Sequence, residues 1–320
     1  MMNEASSKFV DNLALERLIT KISQVRHSPD RSVFVREETP FHWIEHYHLD
    51  ISAVCARGNN QTKWFEIPSL NTASPYPEND TVYLYYYPAS NPSGNVLLLH
   101  GLFDDNMFNY AYLIKLLNEV NFNVFFMVLP YHLQRKPAAS SFSGEYFLSA
   151  DIYRFQRAFQ QAVYDIEASL QWIQHYNEFP TILAGFSMGG AVAFRYSILR
   201  KRAIGTFLIN PVTDLSGILW DNPLLITVGQ DLQNSGFDMK TSAAIFKELD
   251  PCESLRPDFN GRNIAMVYSL YDQIIAEGKN KMFIQRTGIQ NVHRYHAGHL
   301  NILRVPKLAM DIRDFFLKLH

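Results

Sequence analysis

The sequence has little of three features that each mark a class of protein: cysteine, charge of one sign, and long apolar runs. Its 320 residues include two cysteines, Cys55 and Cys252, too few for a disulfide framework or a cysteine-based zinc site. The 29 basic and 31 acidic side chains leave a formal charge of −2, whereas a nucleic-acid binder needs a basic surface to neutralise phosphates. We therefore expect two reduced thiols and no nucleic-acid partner.

Apolar segments long enough to cross a membrane are missing too. The longest apolar run, residues 124–129, falls far short of the ~18 residues that span a bilayer. The first residues include Glu4, Lys8 and Asp11 and lack the apolar stretch of a signal peptide. We expect no integral membrane segment and a cytoplasmic location.

Glycine is also scarce, with 15 residues, so a local cluster of glycines carries information. Hydrophobic residues, by contrast, make up 47% of the chain, which is enough for a sizeable buried core. At roughly 150 residues per domain, the length fits one large domain or two ordinary ones.

Short apolar runs alternate with helical periodicity from about residue 94 onward. Continuous apolar runs, typical of strands buried on both faces, occur at 96–99, 124–129, 181–184, 205–209 and 264–269. Helical spacing occurs at 104–121, 151–175, 188–202, 276–287 and 306–319. This alternation predicts an α/β fold with a doubly wound, mostly parallel sheet. Upstream, the spacing predicts a helix over 7–25 and antiparallel strands over 42–51, 62–67 and 81–87.

Two segments exceed the usual connection of about 2–6 residues, at 130–150 and 211–262. A long insertion in a compact sheet protein is often a functional lid. An ordinary helix with surface loops explains residues 211–262 equally well, and both interpretations remain open.

The sharpest motif is Gly-Phe-Ser-Met-Gly-Gly at residues 185–190, between a buried run and a helical segment. A strand, a sharp turn and a helix are the setting that a nucleophilic serine requires, with its hydroxyl exposed on a strained backbone. The glycines leave room for the strand and the helix to approach closely. We predict that Ser187 is the nucleophile; the alternative is a glycine-rich turn with an incidental serine.

A nucleophilic serine needs a base, and His299 lies in a predicted loop before the final helix. His293 and His296 lie in or beside the preceding strand, where a structural role is expected. The base needs an acid to orient it, and Asp272 follows the strand at 264–269. Asp214 is the rival acid, although it also reads as the N-cap of a helix.

Two backbone N–H groups are expected to form the oxyanion hole. One belongs to Met188, which follows the nucleophile. The other is assigned to Leu102, in the loop after the strand at 96–99. Only backbone atoms are needed there, so the side chains carry little information.

Four motifs together resemble the α/β-hydrolase superfamily: Leu-Leu-Leu-His-Gly at 97–101, the serine motif at 185–190, Tyr-Asp-Gln at 271–273 and Gly-His-Leu at 298–300. The resemblance extends from about residue 80 to the C-terminus. It implies a mostly parallel, eight-stranded sheet with helices on both faces and a triad of Ser187, Asp272 and His299. It also implies a cap inserted at 211–262. The strand order favours one domain over 1–320 that carries this insertion, and the helix predicted over 7–25 lies in an N-terminal helical extension at 1–35.

A second resemblance is to a group of bacterial hydrolase-like proteins. It rests on Leu-Pro-Tyr-His at 129–132, Arg-Lys-Pro at 135–137 and Ser-Gly-Glu at 143–145, ahead of a long helix. Because this loop follows a strand that ends beside the site, His132, Arg135 and Glu145 are candidates for the substrate entrance. The alternative is a loop fixed by its own polar contacts.

The sequence thus predicts a serine hydrolase that cleaves a carboxylic ester or a related acyl bond of a small molecule. No residue cluster has metal-ligand spacing and no glycine-rich phosphate loop follows a strand, so neither metal nor cofactor is expected. An acyltransferase or thioesterase on the same fold remains open, as does a non-catalytic binding protein. The physiological substrate, its acyl length and the oligomeric state are not predicted.

Overall fold

The computed structural model describes residues 3–58, 62–70, 74–250, 253, 255 and 259–319. Cys252 lies outside the described residues, and Cys55 is an exposed free thiol. Within these residues the strands are β1 (Cys55–Gly58), β2 (Lys63–Pro68), β3 (Thr81–Tyr87), β4 (Gly94–Leu99), β5 (Phe122–Met127), β6 (Thr181–Phe186), β7 (Gly205–Ile209), β8 (Ile264–Ser269) and β9 (Asn291–Tyr295). The helices are α1 (Glu4–Ser23), α2 (Phe108–Glu119), α3 (Ile152–Tyr176), α4 (Met188–Leu199), α5 (Leu215–Asp221), α6 (Ile226–Asn234), α7 (Met239–Phe246), α8 (Glu277–Thr287) and α9 (Lys307–Leu319).

One sheet contains all of these strands, in the order β1-β2-β3-β5-β4-β6-β7-β8-β9. The pairs from β1 to β3, and β3 with β5, are antiparallel, and the remaining pairs are parallel. The predicted mostly parallel α/β sheet is therefore confirmed, with nine strands described in place of the expected eight.

Alternate residues of each central strand face opposite layers of the protein. In β4, Leu97 and Leu99 pack into a core that includes α3 and α4, whereas Val96 and Leu98 pack against α2 and α9. This two-residue period buries both faces of the sheet, which explains the continuous apolar runs in the sequence.

The predicted strand over residues 42–51 is wrong. Short 3-10 turns occur there, at Ile44–His46 and Ile51–Ala53. The backbone N–H of Leu49 donates to the Gln171 side chain on α3, and the Asp50 carboxylate accepts from the Ser52 N–H. Side chains therefore take the hydrogen bonds that a neighbouring strand would have supplied.

The carboxyl ends of the parallel strands meet at one edge of the sheet, where the connections change direction. The chain passes from β4 to β5 on one side, while β6 pairs with β4 on the other. Such a switch point leaves a crevice outside the strand ends. Helices α5–α7, from the segment between β7 and β8, lie near this edge together with α1.

No helix in the described part of the chain is long and apolar enough to span a bilayer.

Candidate active site

Ser187 stands at the turn between β6 and α4 with a backbone that non-glycine residues rarely adopt. Its φ is 54° and its ψ is −117°. The Ser187 N–H donates to the Ile209 carbonyl at 2.9 Å, and the Ser187 carbonyl accepts from the Val212 N–H at 3.0 Å. The end of β7 thus holds the strained turn in place, as a nucleophile elbow requires.

The glycines of the serine motif are needed because backbone atoms approach them closely. A Cβ on Gly185 would lie 2.3 Å from the Gly189 carbonyl oxygen, and a Cβ on Gly189 would lie 2.4 Å from the His100 carbonyl oxygen. Neither neighbour is a flexible side chain that could move aside. These positions account for the local cluster in a glycine-poor chain.

His299 and Asp272 form a buried pair on the loops that follow β9 and β8. His299 Nδ1 lies 2.7 Å from Asp272 Oδ2, and both side chains are 2% exposed. The other oxygen of Asp272 accepts the N–H groups of Ile274 and Ile275, at 2.7 and 2.8 Å. The carboxylate is therefore fixed on both sides and favours the His299 tautomer that carries its proton on Nδ1.

Burial alone would lower the pKa of His299, but neighbouring carboxylates outweigh it. The charge and hydrogen bond of Asp272, with smaller contributions from Asp11 and Asp104, raise this pKa above its usual value. A base with a raised pKa holds a proton more firmly once it has taken one.

The backbone around His299 is also fixed from the side of the sheet. Asn210, which has a φ of 41° at the end of β7, donates to the His299 carbonyl at 3.0 Å. Ser269, at the end of β8, donates to the Gly298 carbonyl at 2.9 Å and is itself bonded to Asn210. We call residues 296–300 the histidine loop.

The other candidates for the triad have different partners. Asp214 caps α5 by accepting the Gly217 N–H, and its second oxygen lies 2.6 Å from Lys279 Nζ. His293 Nδ1 lies 3.5 Å from Asp311, and His296 Nδ1 lies 2.8 Å from the Tyr271 hydroxyl. None of these three lines the cleft that contains Ser187 and His299.

The loop after β4, residues 100–104, contains Leu102, which is predicted to contribute to an oxyanion hole, and is called the oxyanion loop below. The Gly101 N–H donates to Asp104 and to the Tyr110 hydroxyl, and the Phe103 N–H donates to His132 Nε2 at 3.1 Å. Between them, the Leu102 N–H has no hydrogen-bond partner within the described part of the chain, and neither has the Met188 N–H. Both groups lie near the turn of Ser187 and are available to a bound oxygen atom.

Two buried histidines hold the oxyanion loop and are both neutral. His100 donates from Nδ1 to the Gly101 carbonyl and accepts the Leu129 N–H at Nε2, while His132 donates to the Pro130 carbonyl. Burial lowers the pKa of His100 to about 4 and that of His132 well below its usual value. A proton on either Nε2 would face an N–H donor, so the loop geometry requires the uncharged rings.

The prediction that His132, Arg135 and Glu145 line the substrate entrance is corrected by the structure. All three are buried, and none lines the cleft. Arg135 pairs with Asp165 at 2.7 Å, and Glu145 Oε1 lies 2.9 Å from His27 Nε2. Their polar groups fix the 130–150 loop internally, because a buried ionic or polar group needs such partners.

The segment after β5 supports the oxyanion loop from below. Ser143 donates to the Asp104 carbonyl and accepts the Leu133 N–H, and Gly144 has a φ of 84°. A Cβ on Gly144 would lie 2.4 Å from His132 Nε2, so only glycine leaves room for that ring. The Ser-Gly-Glu motif therefore fixes the backbone of the 100–104 loop through Ser143 and Gly144 and does not line the cleft.

Ser187 and His299 open into one cleft of about 660 Å³. One wall is apolar and comes mainly from the oxyanion loop, the segment between β7 and β8, and the histidine loop; it includes Leu102, Phe103, Ile218, Leu224, Leu225 and Leu300. The face of α1 that carries Arg17, Leu18 and Lys21 also lines the cleft. Among the described residues no group of three or more His, Cys, Asp or Glu side chains could hold a metal ion.

Asp11 and Asn210 are site residues that sequence reasoning did not identify. Asp11 falls on the same face of α1 as Leu15, Leu18 and Ile22, and it is fully buried. A carboxylate on an otherwise apolar helical face was the available signal, because burial of such a group requires hydrogen-bond donors.

The fold is shared with several hydrolases of known structure, each 12% identical to this chain. An acetyl xylan esterase from Paenibacillus sp. R4 aligns with a TM-score of 0.63 over 95% of this chain and 99% of its own. A soluble variant of monoglyceride lipase from Saccharomyces cerevisiae aligns at 0.55 over 83% and 94%. An S-formylglutathione hydrolase from Agrobacterium tumefaciens aligns at 0.54 over 83% and 99%. No curated protein matches the sequence itself.

Residues 96–277, more than half of the chain, match the model of the alpha/beta hydrolase family. This segment begins in the strand before the oxyanion loop and extends past Asp272, so it includes the serine turn. Together with the sheet topology, the match shows that the chain belongs to the alpha/beta hydrolase family.

Proposed function

We propose that the protein is a serine hydrolase that cleaves a carboxylic ester through an acyl-enzyme on Ser187. One observation carries the proposal: Ser187, on a strained turn, opens into the same cleft as His299, whose other ring nitrogen pairs with Asp272. A hydroxyl, a base and an acid in this relation are the components of nucleophilic acyl transfer.

In the proposed first half-reaction, Ser187 Oγ attacks the ester carbonyl carbon while His299 Nε2 takes the hydroxyl proton. Asp272 stabilises the imidazolium that forms. The N–H groups of Leu102 and Met188 donate to the negatively charged oxygen, and each is worth about 3–4 kcal/mol in the transition state. His299 then gives its proton to the leaving alcohol, and the acyl group remains on Ser187.

In the second half-reaction, water attacks the acyl carbon and loses a proton to His299. The C–O bond to Ser187 breaks, and His299 returns the proton to the serine oxygen. The apolar wall of the cleft suits the acyl part of a small-molecule ester. Proteins of the same fold that are named as an acetyl xylan esterase, a monoglyceride lipase and an S-formylglutathione hydrolase support the reaction class, and the substrate itself is left to assay.

A fluorophosphonate probe tests the proposal directly, because it reacts with an activated serine. We expect labelling of the wild-type protein, complete loss of labelling in Ser187→Ala, and retained labelling in Ser197→Ala, whose hydroxyl bonds only within α4. An unlabelled wild type, under conditions that label a known serine hydrolase, contradicts the proposal.

p-Nitrophenyl esters of graded chain length then examine the acyl pocket. The size and apolar wall of the cleft predict hydrolysis of chains longer than acetate. A strict preference for acetate would count against a large acyl pocket. Adding an alcohol or a thiol as a second acyl acceptor distinguishes a hydrolase from an acyltransferase. A hydrolase forms mainly the free acid, whereas an acyltransferase forms mainly the new ester or thioester.

A further inference from the structure

The N-terminal helix carries a buried carboxylate that reaches the two loops holding the base and its acid. Asp11 is the eighth residue of α1 and is fully buried. The same helix face contacts the cleft through Leu18. Burying a carboxylate costs several kcal/mol unless donors surround it, so its partners are informative.

Three backbone N–H groups donate to Asp11. His299 N–H donates to Oδ2 at 2.6 Å, and Leu300 N–H donates to Oδ1 at 3.1 Å. The Gln273 N–H, next to Asp272, donates to Oδ2 at 3.3 Å. One side chain therefore joins the histidine loop to the loop of the acid, and both of its oxygens act only as acceptors, as in the ionised form.

Gly298 makes this contact possible. A Cβ at Gly298 would lie 2.7 Å from Asp11 Oδ2 and 2.9 Å from Asp11 Cγ. The glycine before His299 is thus required for the approach of Asp11, and its φ is not in the left-handed region. The absence of a side chain at Gly298 therefore leaves the space that the Asp11 carboxylate occupies.

The charges around this contact favour the protonated form of His299. The groups that act on His299 are Asp272, Asp11 and Asp104, all negative when ionised. Burial, with the charge of Asp272, raises the pKa of Asp11 above its usual value, although the two N–H groups of the histidine loop and the charge of His299 act to lower it. The carboxylate of Asp11 therefore assists the imidazolium form of His299 as well as fixing its backbone.

We propose that Asp11 is a positioning residue of the active site, which fixes His299 and the loop of Asp272 so that α1 completes the catalytic arrangement. The inference rests on the proposed serine-hydrolase function. It gives the N-terminal helix a part in catalysis beyond forming a wall of the cleft.

Asp11→Asn is the first test, since it keeps the size but turns one acceptor into a donor that must face an N–H group. We expect kcat to fall about 10–100-fold, because small displacements of a catalytic group have effects of this size, with little change in KM. Loss of the negative charge also lowers the pKa of His299, so the acid limb of the kcat/KM profile moves to lower pH.

Ser7→Ala is the matched control: Ser7 is buried on the same helix and its hydroxyl has no hydrogen-bond partner among the described residues. It should leave kcat and the acid limb unchanged.

Gly298→Ala provides a second route that leaves Asp11 itself in place. Its methyl group should displace the carboxylate and reproduce the loss of kcat. If Asp11→Asn fails to fold, Gly298→Ala carries the test. A folded Asp11→Asn with wild-type kcat and an unmoved acid limb overturns the proposal, and so does Gly298→Ala with wild-type kcat.

NMR titration of the His299 ring separates this inference from the proposed function. The ring resonance, assigned with His299→Gln, should titrate at lower pH in Asp11→Asn than in the wild type, whether or not the protein turns over esters. If the fluorophosphonate probe fails to label the wild type but the His299 titration is shifted in Asp11→Asn, only the hydrolase function is contradicted. If the probe labels the wild type but the titration is not shifted in Asp11→Asn, only the role of Asp11 is contradicted.

Discussion

The two loops that flank Ser187 are fixed by opposite kinds of chemistry. Neutral imidazoles accept the backbone N–H groups of the oxyanion loop and of its neighbouring strand end, through His132 and His100. Carboxylates hold the histidine loop, through Asp11 at its backbone and Asp272 at its ring. Low pH disrupts the oxyanion loop, because a protonated His100 or His132 ring can no longer accept these N–H groups. Protonation of His299, by contrast, strengthens its interaction with Asp272. One site thus contains histidines whose pKa values are shifted in opposite directions, downward at His132 by burial and upward at His299 by its carboxylate neighbours.

The largest expected effect concerns the ring of His299. In Asp272→Asn the carboxylate no longer selects the tautomer with Nδ1–H or stabilises the imidazolium, and we expect kcat to fall about 10⁴-fold. Asp214→Asn is the matched control, because Asp214 lies on a neighbouring loop and only caps α5 and pairs with Lys279. Steady-state kinetics on one p-nitrophenyl ester measure both variants. A greater loss in Asp214→Asn would reverse the assignment of the acid.

The oxyanion loop should give the next largest effect. His132→Leu removes the acceptor of the Phe103 N–H, so the neighbouring Leu102 N–H no longer points reliably at the developing oxyanion. Loss of one such donor costs about 10²–10³-fold in kcat. His293→Leu is the control and should keep kcat near the wild-type value, because His293 lies in the edge strand β9 beside Asp311 and does not line the cleft. An unchanged kcat in a folded His132→Leu would mean that the loop holds its shape without the ring.

The smallest effect is a difference in how stability responds to pH. His132 stays neutral in the folded state, so the unfolded chain binds a proton below about pH 6.5 that the folded chain does not. The stability that wild type has over His132→Leu should therefore shrink as pH falls below that value, by up to about 1.4 kcal/mol per pH unit. Urea unfolding of both proteins at several pH values measures this difference.

The contribution of His299 to stability should change with pH in the opposite direction to that of His132. Its pKa is raised in the folded state, so its contribution is fully present below the unfolded pKa of about 6.5 and is lost as pH rises through the folded value. The stability that wild type has over His299→Gln should then increase as pH falls. Parallel slopes for the two variants would refute the distinction between the loops.

Local sequence patterns predicted the parts of the site that depend on neighbouring residues. The serine turn has its glycines within four residues of Ser187, and the chain order of Asp272 and His299 follows from the strands before them. The catalytic roles of these residues remain predictions. The alternation of apolar runs and helical spacing likewise predicted the α/β sheet, because burial of both strand faces shows in composition.

The parts that sequence reasoning missed depend on contacts between distant segments. His132 and Arg135 are polar residues in a long loop, and nothing local shows that their partners, Phe103 and Asp165, bury them. The 42–51 segment has strand-like residues whose backbone is bonded by Gln171. The partners of Asp11, His299 and Leu300, lie far from it in sequence, so these contacts can be seen only in the folded structure.

The contact between Asp11 and His299 joins residues separated by 288 positions. It closes a loop of almost 300 residues, whereas the backbone bonds that hold the serine turn, to Ile209 and Val212, lie within about 25 positions of Ser187. Contacts of such long range form late, since the entropy of closing the intervening chain opposes them. During synthesis Asp11 and Ser187 both emerge before His299, so this contact has to wait for residues that are made later. We expect pulse-labelled hydrogen exchange during refolding to show the His299 amide protected after the Ser187 amide, so that hydrolytic competence arrives as one of the final events of folding.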